Sequence, residues 1–308
     1  MKVGLLCAAA GMSRANYYKH RVRRRQASVD ERLVLDLVRL ERRRQPRLGV
    51  RKLAVLIEPD LTSAGISLGR DRLFSLLKRH DLLVERRRRS SRTTHSRHGF
   101  ATYPNRAQSL VLRGPHQLWV SDITYLRTQA NFVYLALVMD AFSRAIVGHD
   151  CSDSLEAVGA LRALSMAVAQ LPADASVMHH SDRGIQYCCR PYIERLQQAE
   201  VSISMTEKNH CYENSRAERL NGTLKGELGL DATFTDVADA RAGVAEAVGT
   251  YNEHRPHQAL GYRTPIQVHR GLAPVRRGPA AAGDAAAPVA LRAPSAAASP
   301  HPFRAQCT

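Results

Sequence analysis

The sequence predicts an α/β chain: an all-α helix-turn-helix region followed by a mixed-sheet core. Two patterns carry this expectation. Before residue 85, apolar residues recur at three-to-four spacing. From about residue 115, short runs rich in Val, Ile, Leu and Tyr alternate with Ala/Leu-rich helical stretches. The length of 308 residues suits about two domains.

Charge divides at the same boundary. The chain carries 45 Lys and Arg against 28 Asp and Glu, a net of +17. Residues 1–113 hold 27 of the basic and 9 of the acidic residues, and the rest hold 18 and 19. A polycationic third attached to a nearly neutral body points to a polyanion partner, because neutralising phosphates releases counterions. A hydrophobic fraction of 44% excludes a wholly disordered chain. No apolar run approaches the ~18–20 residues needed to cross a bilayer. The apolar stretch Val3–Gly11 runs into a basic tract rather than a cleavage site, so it does not read as a secretion signal. A cytoplasmic, nucleoid-associated protein is expected. Six cysteines with no CxxC pair fit a reducing compartment.

In chain order, residues 1–25 read as a helix-turn-helix fragment, with Ser13 as N-cap of its second helix and Arg21–Arg25 as a basic linker. Residues 26–84 read as a complete helix-turn-helix domain. Its helices are expected at 29–44, Gly49–Ile57 and Arg70–His80. The last places Leu73, Leu76 and Leu77 on one face and Arg70, Arg72, Lys78 and Arg79 on the other, the pattern of a DNA-reading helix. Residues 85–113 form a basic linker that includes Arg86, Arg87, Arg88 and Arg89, candidates for phosphate contacts. Residues 114–270 form the core. Strands are expected at Leu118–Leu126, Phe132–Met139, Ala145–His149, Ser176–His180 and Val201–Met205, and helices at Leu155–Leu171, Tyr192–Ala199, Asn214–Leu228 and Val237–His254. Residues 271–308 are an Ala/Pro-rich tail, expected to be disordered.

Three acids are candidates for chemistry. Asp122 interrupts an otherwise apolar strand, where aspartate is depleted. Asp182 follows a strand and precedes Arg183-Gly184, at the edge where α/β sheets place their sites. Glu218 falls on the helix 214–228. Two strand acids and a helix acid can converge above a sheet. Such oxygen ligands suit Mg²⁺ or Mn²⁺, and two ions serve in-line phosphoryl displacement. On the same helix, Lys225 lies seven residues after Glu218 and shares its face, offering a cation to DNA phosphate, while Glu227 points away. Glu213 reads as a capping residue. His179 and His180 read as supporting groups or packed strand residues, Asp140 as a turn residue and Trp119 as core. Structural zinc is not expected: Cys188-Cys189 are adjacent, and His254 and His257 have no upstream CxxC.

These motifs resemble one family. The stretches are Trp119–Tyr125, Met139–Arg144 with Ile146–Gly148, and His180–Gly184 with Gln186-Tyr187. They continue with Asn214, Glu218 and Leu224–Leu228, then Tyr251-Asn252, Arg255–His257, Leu260–Tyr262 and Thr264-Pro265. Over roughly residues 30–270 the chain resembles the second-frame DDE transposases of the insertion-sequence-three family, whose core is of the retroviral-integrase type. The resemblance implies an RNase H-like fold and a metal-binding triad of Asp122, Asp182 and Glu218, supported by His180 and Asn214. It implies DNA partners (terminal inverted repeats and target DNA), at least a dimer on DNA, and the protein of an upstream frame, but no membrane. It implies strand cleavage and strand transfer. The competing expectations are an inactive DNA-binding regulator and a structure-directed nuclease without strand transfer. Two departures stand out: Glu213 occupies a position that is often Asp in the family, and Ile185 a position that is often small and polar.

Overall fold

The computed structural model describes residues 3–85, 100–207 and 215–272. The chain begins with α1 (Val3–Ala9), α2 (Arg14–Arg44), α3 (Val50–Ser63) and α4 (Arg70–Arg79). Ser13 caps α2 as expected, its hydroxyl accepting from the Asn16 N–H at 3.1 Å. The expected basic linker at 21–25 is instead part of α2, which runs unbroken for 31 residues. No Gly or Pro interrupts residues 14–44, and Arg, Gln and Ala are strong helix formers. α3 also outruns its expected end at Ile57. It continues through Pro59 because Leu61, on the next turn, is buried in the bundle core. That core joins Val34, Leu35 and Val38 of α2 to Leu53, Ile57 and Leu61 of α3 and to Leu73, Leu76 and Leu77 of α4. A six-residue turn joins α3 to α4, so the N-terminal region is helical.

The second part is a six-stranded mixed sheet. Its strands are β1 (Leu118–Thr128), β2 (Phe132–Asp140), β3 (Ile146–Ser152), β4 (Met178–Ser181), β5 (Ser202–Met205) and the short β6 (Thr233–Phe234). The order is β3-β2-β1-β4-β5, with β6 also beside β1. The first three strands are antiparallel, whereas β4 and β5 join in parallel. This is the RNase H-like arrangement the family resemblance implies. β1 is the central strand, and its first four residues are buried. The tight turn after β2 is organised by Asp140. Its Oδ1 accepts from the Ser143 N–H and hydroxyl, both at 2.7 Å, and its Oδ2 accepts from the His116 N–H at 2.7 Å.

Two apolar layers cover the sheet. On one face lie α5 (Ala157–Val168), the short α6 (Ile185–Cys188) and α7 (Arg190–Gln198). They pack on Trp119, Val138 and Val147, with Trp119 fully buried. α5 approaches β3 so closely that a Cβ at Gly148 would overlap the Ala163 carbonyl, so only glycine fits there. On the other face, α8 (Ser215–Leu228) and α9 (Val237–Glu253) pack on Leu118, Val120 and Leu135. α6, β6 and α10 (Pro265–His269) were not expected; each has five residues or fewer, too short for a periodic signal. Among the described residues, no helix is long and apolar enough to cross a membrane.

Candidate active site

The parallel pairing of β1 and β4 sets Trp119 beside His179 and Val120 beside His180. Two residues beyond that last pair come Asp122 on β1 and Asp182, just past the end of β4. Side chains alternate along a strand, so both acids share the face of Val120, which α8 covers. A parallel sheet edge thus brings together two aspartates 60 positions apart.

α8 supplies the rest. Ala217, Leu220 and Leu224 form its buried stripe. Residues 218, 221 and 225 lie along one flank of that stripe. Asn221, which the sequence reading missed, donates its Nδ2–H to Asp122 Oδ2 at 2.8 Å. The signal was available, since Asn221 lies three residues after Glu218 and four before Lys225, but an amide on a helix has no distinctive pattern. Asp122 Oδ1 also accepts from the Ile123 N–H at 3.0 Å. The Asp182 loop is equally tight: Oδ1 accepts from the Gly184 N–H at 2.9 Å, and a Cβ at Gly184 would stand 3.0 Å from that oxygen.

The electrostatics single out Asp122. Burial and the neighbouring Asp182 carboxylate push its pKa up to about 7. Glu218 adds to the rise, while the hydrogen bonds from Ile123 and Asn221 oppose it. The three acids therefore share one field, yet they do not close on a single point. Among the described residues, no three His, Cys, Asp or Glu side chains are gathered tightly enough to hold a metal ion. Glu218 lies exposed in the first turn of α8. Four buried polar atoms in this region have no partner among the described residues: Asn221 Oδ1, the Tyr187 hydroxyl, Ser181 Oγ and His179 Nδ1. The Tyr187 pKa is raised, first by burial and then by Tyr192, Asp122 and Asp182.

The other expected site residues fall as follows. Lys225 is half-buried. Burial lowers its pKa, and the Asp122 and Asp231 carboxylates oppose that shift. His180 is buried in β4, its Nδ1 2.9 Å from the Ser204 hydroxyl. Ser204 Oγ already accepts from the N–H groups of Arg106 and Ala107, so its proton points to His180, which packs within the sheet. Arg70, Arg72, Lys78 and Arg79 are exposed on α4, with Arg70 paired to Asp71 and Arg79 to Glu31. Glu227 is paired to Lys52 and Arg255. Asn214, Glu213 and Arg86 to Arg89 lie outside the described residues.

The chain is similar to several known proteins. Residues 113–211 and 199–265 match two families, each described as an integrase core domain. A 31 kDa protein of insertion element IS600 from Shigella sonnei is 34% identical over 265 residues, covering 84% of this chain and 96% of its own length. The transposase for element IS629 from Shigella sonnei is 30% identical over 87% of this chain and 91% of its own. Transposase InsF for IS3A from Escherichia coli is 31% identical over 85% of this chain and 92% of its own. Among solved structures, the HTLV-2 integrase catalytic core with magnesium aligns at a TM-score of 0.42 with 20% identity, over 51% of this chain and 99% of that one. A simian T-cell lymphotropic virus intasome aligns at 0.45 with 18% identity, over 77% and 81%.

Proposed function

The chain belongs to the IS3 family of DDE transposases, and from that premise we propose that it cuts and joins DNA at the terminal inverted repeats of an insertion sequence, using divalent metal held by Asp122, Asp182 and Glu218. The observation that carries the reading is the Asp122 carboxyl. It is held on the central strand and pushed to about 7 by burial and by two further acids. Carboxylates held together in a buried place oppose one another's ionisation, which supports a bound cation there in addition to the nearby Lys225 ammonium.

The donor chemistry, though not yet a closed geometry, fits Mg²⁺ or Mn²⁺. The donors are three carboxylates, a hard all-oxygen set, and Asn221 Oδ1, without a partner among the described residues, adds an oxygen acceptor beside them. Two such ions, when bound, would polarise the scissile phosphate and stabilise the attacking and leaving oxygens. The protein's part is positional. Asn221 and the Ile123 N–H hold the Asp122 carboxylate in one orientation, and the Gly184 N–H does the same for Asp182. Lys225, on the same flank of α8 as Glu218, places its ammonium for a DNA phosphate.

In the reaction we propose, a water oxygen attacks phosphorus at the element end and releases a 3′-hydroxyl. That hydroxyl attacks a phosphodiester at the element's other end and displaces the flanking DNA's 3′-oxygen as a hydroxyl; a later hydrolysis at the joined ends frees a 3′-hydroxyl of the element again, which attacks new DNA. Each bond made replaces one broken, so no ATP is needed. The exposed basic face of α4 grips the ends, with Arg72 and Lys78 facing the duplex. Two ends require at least two copies of the chain, and the upstream-frame protein is a candidate partner.

The test is purified protein, an end-bearing duplex and Mn²⁺. Nicks at the element end followed by joined products are expected. Full nicking by Asp182→Asn would remove the site assignment, and nicks without joined products would reduce the activity to that of a nuclease.

A further inference from the structure

The helical bundle meets the core at the C-terminal end of α8 and the turn after it. Glu227 sits there between two cations drawn from different parts of the chain. Lys52 of α3 donates to Oε1 at 2.8 Å and Oε2 at 2.7 Å. Arg255, just past α9, donates Nη2–H to Oε1 and Nε–H to Oε2, each at 3.0 Å. A third Arg255 nitrogen donates to His257 Nε2 at 2.8 Å, and its side chain is 7% exposed. Beside this cluster, Arg47 of the α2–α3 loop reaches Asp231 at 2.7 Å and the Gly226 carbonyl at 3.4 Å. Buried Gln45 lies against the His254 carbonyl at 3.5 Å.

The placement is specific. Glu227 lies nine residues after Glu218 on one 14-residue helix, so both ride on the same rigid rod. Glu227 faces the bundle while residues 218, 221 and 225 lie along the flank toward Asp122. An apolar contact would dock the bundle at least as firmly, but it would tolerate sliding. A carboxylate bidentate to a guanidinium and chelated by an ammonium fixes register.

We propose that Glu227 is a positioning residue. With Lys52 and Arg255, it ties the end of α8 to the bundle and so sets where Glu218, Asn221 and Lys225 stand relative to bound DNA. The catalytic half of this inference rests on the proposed function; the docking half does not. Removing the carboxylate leaves Lys52 and Arg255 facing each other without their anion, and the seam opens.

A charge-reversal cycle in the full-length chain tests this: Lys52→Glu, Glu227→Lys, the double variant, and the neutral Lys52→Met. Two readouts are taken. One is hydrogen exchange at residues 224–231, which include the Leu230 N–H bonded to the Leu224 carbonyl. The other is cleavage of an end-bearing duplex with Mn²⁺, alongside its affinity for the same DNA. We expect each single reversal to speed exchange at the seam and to slow cleavage about tenfold with affinity within about threefold, and the double variant, which restores the 52–227 pair but sets the new ammonium at position 227 against Arg255, to recover part of both relative to Glu227→Lys. Exchange at the seam unchanged by Lys52→Glu and Lys52→Met, or a double variant no better than the worse single one, overturns the proposal. If Glu227→Lys does not fold, the two Lys52 variants decide. If wild-type protein does not cut, the functional reading fails and the exchange data still decide the docking.

Discussion

Asp122 and Glu227 are both carboxylates drawn out of water beside α8, and their surroundings drive them in opposite directions. Burial and the like charges of Asp182 and Glu218 push Asp122 to about 7. For Glu227, burial also acts upward, but the Arg255 and Lys52 cations outweigh it and hold the carboxyl below its ordinary value. The same desolvation is thus outweighed by cations in one place and reinforced by like charges in the other. On the proposed reading, the first acid serves architecture and the second stores an electrostatic demand that a bound cation would meet.

The largest effect expected from breaking this contrast is on chemistry. Asp182→Asn should lower end cleavage by about a thousandfold or more, measured as nicked product with Mn²⁺, since the proposed metal site loses a ligand. Asp122→Asn should do the same and, in metal-free protein, should also stabilise the fold. The sign follows from the raised pKa. A carboxyl at about 7 folded and 3.8 unfolded binds its proton more tightly in the native state, so its unfavourable contribution is absent near pH 4 and grows as pH rises toward 7. Urea unfolding at pH 8 should show a gain of about 2–4 kcal/mol for Asp122→Asn, vanishing near pH 4. Asn221 Oδ1 could accept from the new amide, which favours the substitution further.

Glu227→Gln should behave oppositely and destabilise by about 1–2 kcal/mol, the value for a buried pair discounted for partial exposure. Its folded pKa is depressed, so that stability is present above the ordinary carboxylate range and lost as pH falls through it. A urea series from pH 7 to pH 3 should show the difference between wild type and variant closing. The smallest effect belongs to the amide between the two regions. Asn221→Ala should leave DNA affinity unchanged and raise the Asp122 pKa, visible as a shift of the pH–rate profile toward higher pH.

Much of the fold was legible because its long elements obey simple periods. The apolar runs of β1 and β2 and the stripe of Leu73, Leu76 and Leu77 read directly from the chain. The linker assigned to Arg21–Arg25 was wrong for a definite reason. A charge run looks like a solvated connector, yet arginine is a good helix former, and nothing at 14–44 stops the helix. Among the acids, Asp122 and Asp182 were conspicuous because aspartate is out of place in and just after apolar strands. Asn221 was not, because an amide on a helix is ordinary until its partner is known.

Composition and local pattern determined the alternation of helices and strands, the basic first third and the identity of the odd acids, because propensity, periodicity and charge are properties of short stretches. Only the tertiary structure decided what surrounds each acid. The parallel register of β1 and β4 sets Asp122 beside Asp182, and the packing of α3 against the end of α8 sets Lys52 against Glu227. A carboxylate's role depends on the sign of the charges around it, and those charges come from positions 60 and 175 residues away in the chain.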